Sequence, residues 1–135
     1  MKKVKRITEL LLALKLVAHQ VHLLSISHSD HLLAERIESD LDDNIDILKE
    51  LSIFCYEMEG PQIASCSETA QGVFNIVHDI KPDATVDELF SYILEIIEEI
   101  IKECTPTNFQ ALDTAIGDTA RDIGRKGYLV KQRLK

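Results

Sequence analysis

A chain of 135 residues with net charge −8, 45% hydrophobic and 28% charged residues, and only 5 Gly and 3 Pro has the size of one domain and can bury a real core. That balance excludes a disordered chain and a turn-rich all-β sandwich or barrel. Three cysteines without CxxC spacing, Cys55, Cys66 and Cys104, indicate neither a disulfide framework nor a structural zinc site and read as reduced thiols of a cytoplasmic protein.

The chain opens with MKKVKR, four positive charges and no acid, which reads as a short basic N-terminal arm over residues 1–6. The first helix follows, with Ile7, Leu10, Leu11, Leu14, Val17, Ala18, Val21 and Leu24 recurring at three and four residues. A second apolar line, Leu12, Leu16 and Leu23, predicts burial on more than one face. No uncharged apolar run reaches the roughly 18 residues of a membrane span. Residues 7–26 come nearest, and Glu9, Lys15, His19, Gln20 and His22 interrupt them. Ser27 followed by Asp30 predicts an N-cap with an acid in the first turn.

A second helix is expected over 28–58, with Leu33, Ile37, Leu41, Ile45, Leu48, Leu51 and Cys55 as its apolar line and Gly60-Pro61 as its stop. Residues 69–80 predict a short helix ended by Lys81-Pro82-Asp83. Thr85 and Glu88 form a capping box for a third helix that runs to Cys104. Thr107 and Gln110 repeat that arrangement for a fourth, which continues towards Leu134. Gly117, Gly124 and Gly127 lie inside it, either for close helix contact or as a break. Four long helices with a longer connection between the second and third predict an all-α fold, a four-helix bundle filling residues 1–135 as one domain.

Charge is unevenly placed. Residues 121–135 carry six cations against Asp122, whereas residues 7–120 carry 22 acids against five cations. Such a body repels nucleic acid and anionic lipid and attracts cations.

Four of the five histidines, His19, His22, His28 and His31, fall within thirteen residues; the fifth is His78. On a continuous second helix, with His31 set at zero, Glu35 lies at about 40°, Asp46 at about 60° and Glu50 at about 100°. All four therefore share one arc. Glu35 and Asp46 are nevertheless separated by roughly 16 Å along the axis, too far to share an ion within one chain. A two-fold axis near Leu41 removes the difficulty. His31 and Glu35 of one chain then face Asp46 and Glu50 of a second, twice per dimer, and His19 approaches from the first helix. Mixed imidazole and carboxylate donors suit iron, with zinc or manganese as substitutes.

The spacing His-x11-His-x3-Asp/Glu-x10-Asp-x3-Glu, here His19, His31, Glu35, Asp46 and Glu50, resembles the inter-subunit ferroxidase centre of the Dps family, the mini-ferritins. Glu35 stands where that family usually has Asp. Gln20 follows the first histidine in place of the family's common Trp, and LLSISHSD replaces its glycine-containing turn. The resemblance implies a ferritin-like protomer and a two-fold dimer bearing two metal sites, often within a hollow dodecamer. It implies that Fe²⁺ is oxidised by hydrogen peroxide or dioxygen and stored as ferric mineral, with protection against oxidative stress. His22 and His28 are additional to the motif, as accessory ligands or surface residues.

The reading that follows is a Dps-like ferroxidase, an oxidoreductase acting on metal ions, with His19, His31, Glu35, Asp46 and Glu50 as metal ligands. The alternative is a non-enzymatic helical-bundle dimerisation or interaction protein with no metal chemistry. DNA compaction through MKKVKR ranks last, because the body is acidic.

Overall fold

A computed structural model describes residues 2–56 and 65–135. These residues form α1 (Lys2–Leu24), α2 (His28–Glu38), α3 (Leu41–Tyr56), α4 (Cys66–Val77), α5 (Val86–Glu103) and α6 (Gln110–Leu134). No strand occurs among the described residues. The fold is all-α and bundle-like. α1 is the hub and packs against α2, α3, α4 and α5, while α6 lies against α2, α3 and α5.

The periodic line of α1 explains its central place. Ile7, Leu10, Leu11, Leu14, Val17, Ala18 and Val21 are all buried, and burying a Leu or Ile contributes about 2 kcal/mol. The second apolar line is only partly covered: Leu12 packs against the core, but Leu16 is 56% and Leu23 70% exposed. By length and composition α1 could cross a membrane, yet 56% of its most apolar window is buried against the other helices. A core helix has that pattern.

The basic arm is not an arm. Residues 2–6 are the first turns of α1. Val4 is buried in the core, and Lys3 Nζ donates to the carbonyls of Thr105 and Pro106 at 2.8 and 2.9 Å. Lys5 pairs with Glu68 on α4 at 3.4 Å. Apolar Val4, in helical phase with Ile7 and Leu11, carries the helix back through the cations.

The second expected helix is two helices. It stops at Glu38, Ser39 is extended, and Asp40 has φ 65° before α3 begins at Leu41. No Gly or Pro marks this point. Asp tolerates the left-handed region better than most residues. The Ser39 hydroxyl also donates back to the Arg36 carbonyl at 2.6 Å, and Lys126 of α6 donates its ammonium to the Ser39 carbonyl. Tertiary contact has thus overridden a strong local pattern. Met58 and the Gly60-Pro61 stop lie outside the described residues.

At α2 the expected cap is present: Ser27 is N-cap and its hydroxyl accepts from the Asp30 N–H at 3.4 Å. Arg133 then clasps the Asp30 carboxylate at 2.6 and 3.0 Å, and also reaches Asp87 at 2.7 Å. This pins the end of α6 to the starts of α2 and α5. The connecting helix α4 spans Cys66–Val77 rather than 69–80, and His78 ends it. Gly72 on α4 meets Glu9 of α1 so closely that a Cβ there would lie 2.1 Å from the carboxyl carbon. The Thr85–Glu88 capping box forms as expected, each bond at 3.2 Å.

The second capping box does not form. α6 starts at Gln110 with Phe109 as N-cap. Thr107 instead donates its N–H and its hydroxyl to the Asp113 carboxylate, at 2.5 and 2.6 Å. A full carboxylate six residues on accepts both donors, which the amide of Gln110 cannot do as well. Those bonds, the hydroxyl's first, hold the Asp113 carboxyl below its ordinary pKa. A depressed folded pKa stabilises the protein above the unfolded aspartate range and loses that stabilisation as pH falls through the folded value. Asp113→Asn is therefore expected to be less stable than the parent at neutral pH. In urea unfolding at successively lower pH, the two should converge.

α6 runs unbroken through its three glycines. Only Gly127 serves close contact, since a Cβ there would meet Ile97 Cγ2 of α5 at 3.0 Å, whereas Gly117 and Gly124 face open space. Cys55, Cys66 and Cys104 are free thiols. Burial, with Glu103 adding to it, pushes Cys104 up to about 11, so it stays protonated near neutrality.

Candidate metal centre

Three residues, Ser25–Ser27, join α1 to α2, and the two helices run back along one another. The register is visible in the polar pairs. Lys15 Nζ meets Asp42 at 2.8 Å, beyond the break, and His19 Nδ1 hydrogen-bonds Glu38 Oε1 at 3.0 Å. Three residues further towards the turn on α1 comes His22, and three residues back from Glu38 on α2 comes Glu35. The same register that gives His19 to Glu38 therefore gives His22 to Glu35.

His31 completes the group. It lies one turn before Glu35, and its Nε2 is 3.4 Å from Glu35 Oε1. The rings of His22 and His31 are 3.9 Å apart between centroids and tilted by 44°. One donor atom each from His22, His31 and Glu35 lies within 4.8 Å of the other two. Among the described residues this is the one His/Cys/Asp/Glu group of three or more close enough to share an ion. His19 stacks on the outer side of His22 at 6.0 Å between centroids.

Of the five residues expected from spacing, His31 and Glu35 are therefore together. His19 is one turn away and paired with Glu38. Asp46 and Glu50 lie on the exposed side of α3, outside the cluster; the helix break removes the common arc computed along one continuous helix. His22 occupies the position expected of His19. The short connector brings the end of α1 beside α2, but the register that sets His22 against Glu35 comes from the tertiary pairs Lys15–Asp42 and His19–Glu38 and is not readable from the connector's length. His28 is exposed at the start of α2, and His78 lies beyond α4, where it bonds the Asn75 carbonyl.

The group fits a transition metal on two counts. Two imidazoles and one carboxylate on a half-open face form the mixed donor set that suits ferrous ion while leaving coordination positions free. The Nδ1 atom of His22 is buried without a hydrogen-bond partner among the described residues, and an orphaned buried nitrogen calls for a partner. Leu23 on α1, Leu32 on α2 and Ile47 on α3 are exposed at 70%, 48% and 47%.

Comparison with protein-family profiles, with curated proteins and with solved structures gave no match.

Proposed function

We propose that this chain is a Dps-like ferroxidase: a ferritin-like four-helix protomer that works as a two-fold dimer or a larger homo-oligomer built from it. His22, His31 and Glu35 of one chain bind Fe²⁺, and Asp46 and Glu50 of its partner complete the site. The observation that carries the reading is the convergence of two imidazoles and a carboxylate from α1 and α2.

Iron is here the substrate rather than a resident cofactor. Neutral imidazoles from His22 and His31 supply nitrogen donors, and the carboxylates offset the positive charge that grows as Fe²⁺ becomes Fe³⁺. Two ferrous ions each give up one electron to one peroxide. Its O–O bond breaks, it takes up two protons, and it leaves as two waters, so no hydroxyl radical is released. Dioxygen is the alternative oxidant, and zinc or manganese would compete for the same donors. The strongly acidic middle of the chain concentrates cations near the site.

Exposed apolar side chains on each of the three ligand-bearing helices, Leu23 on α1, Leu32 on α2 and Ile47 on α3, suit cover by a second copy. Storage of ferric mineral, a closed shell of twelve copies and a cytoplasmic location extend the same reading. With residues 2–6 folded into α1 and the body acidic, DNA binding has little to stand on.

The test is anaerobic Fe²⁺ titration of the parent, His22→Ala and His19→Ala. Saturable binding lost in His22→Ala but retained within a few-fold in His19→Ala is the expected result. Loss in His19→Ala alone would return the site to the plain spacing motif. No binding in any of the three would leave a helical interaction protein that uses the exposed apolar side chains of α1, α2 and α3.

A further inference from the structure

Lys126 is a charged residue at full burial, with none of its side chain exposed. Lysine almost never occupies such a place unless its ammonium is satisfied. Its contacts converge on the gap between α2 and α3. The ammonium donates to the Ser39 carbonyl, which would otherwise be left without a partner at the end of α2. It also pairs with Asp122, one turn back on α6, at 3.1 Å. Asp122 in turn accepts from Asn44 Nδ2, in the first turn of α3, at 3.4 Å. One lysine thus links α6 to both sides of the break.

Between those two anchors sits Asp40 at φ 65°, the one non-glycine residue with positive φ among those described. That conformation is unfavourable for most L-residues and persists only where its surroundings fix it. The local sequence IESDLDDNI holds neither Gly nor Pro; its Ser39 and Asp40 favour a cap or turn without enforcing one. Without an anchor, the helical conformation would compete.

We propose that Lys126 is a positioning residue of the metal centre: by holding the break at Ser39–Asp40, it sets the angle between α2, which carries His31 and Glu35, and α3, which carries Asp46 and Glu50. This rests on the two-fold reading above. In a two-fold dimer, α2 of each chain must meet α3 of the other at both sites at once. The angle within one chain then decides whether the two half-sites close on one ion.

The test uses the full chain and Co²⁺ alone as probe, whose visible bands report coordination geometry as well as occupancy. Lys126→Met roughly keeps the volume and removes the anchor, and Asp122, with 29% of its side chain exposed, can turn to water for its lost partner. Co²⁺ binding is expected to weaken by about tenfold or more, the usual effect of losing an outer support, with altered band shape. In the metal-free protein, amide exchange at residues 39–44 should accelerate. Adding Asp40→Gly, which is at ease at positive φ, should restore most of the affinity and the parental bands; a purely structural role for the lysine predicts no such rescue. Should Lys126→Met fail to fold, Asp40→Ala at an exposed position penalises the same conformation and should weaken Co²⁺ binding with Lys126 intact. Parental affinity and bands in Lys126→Met, or in Asp40→Ala where that stands in, overturn the proposal, as does a double variant no better than Lys126→Met. A parent that binds no Co²⁺ overturns the metal reading and this role with it, and faster exchange in Lys126→Met would then still mark the lysine as the anchor of the break.

Discussion

Alanine at position 31 should lower metal affinity by more than about 100-fold and reduce peroxide-driven Fe²⁺ oxidation to the rate in buffer, since losing even an outer support of a metal ligand commonly costs 10- to 100-fold. His31 touches both other members of the cluster: its ring lies 3.9 Å from that of His22 and its Nε2 3.4 Å from Glu35. Its removal leaves one imidazole among carboxylates, an oxygen-dominated set that holds ferrous ion far less selectively. The fold should survive. His31 is only half-buried and caps nothing, so thermal unfolding should shift little while iron oxidation followed by absorbance disappears. A variant that oxidises Fe²⁺ at the parental rate would exclude this cluster as the site.

Asp46→Asn is the sharper change. Asn keeps the shape of Asp and removes its charge and half of its donor strength. Asp46 is exposed and lies outside the cluster, so a site contained within one chain predicts no effect. The two-fold site predicts at least about tenfold weaker binding, with His22, His31 and Glu35 all intact. Isothermal titration of parent and variant with the same metal, at a protein concentration that keeps the dimer, distinguishes the two cases.

What sequence made legible here follows the range of the interaction. The first helix, the Ser27 cap and the Thr85–Glu88 box depend on residues three or four apart, and each was readable. The interruption at Ser39–Asp40 is contacted by Lys126, 87 residues away in sequence, and the only local hint of it is the cap-forming pair Ser39 and Asp40. With α2 and α3 separate helices, the shared arc of Asp46 and Glu50 with His31 no longer follows from a single helix axis. The pairing of Thr107 with Asp113 was missed for a smaller reason: a capping box and a carboxylate six residues on compete for the same donors, and the charged acceptor wins. His22 is intermediate. The spacing motif passed over it, and the register that puts it opposite Glu35 is set by the tertiary pairs Lys15–Asp42 and His19–Glu38. Residues 2–6 show the opposite bias, where a run of charge concealed one apolar residue, Val4, that is fully in helical phase.

The central claim, that each site draws on two chains, is tested most directly by complementation. At Fe²⁺ concentrations below the weakened affinities, His31→Ala and Asp46→Asn are each expected to be inactive as pure proteins. Coexpressed, they form mixed dimers in which the Asp46→Asn chain supplies His22, His31 and Glu35 while the His31→Ala chain supplies Asp46 and Glu50. One of the two sites in each mixed dimer is then fully native, so random pairing should restore about a quarter of the parental Fe²⁺ oxidation. Activity near that level in the mixture, and none in either variant alone, is the predicted result. A mixture as inactive as its components would contradict a site shared across the two-fold axis.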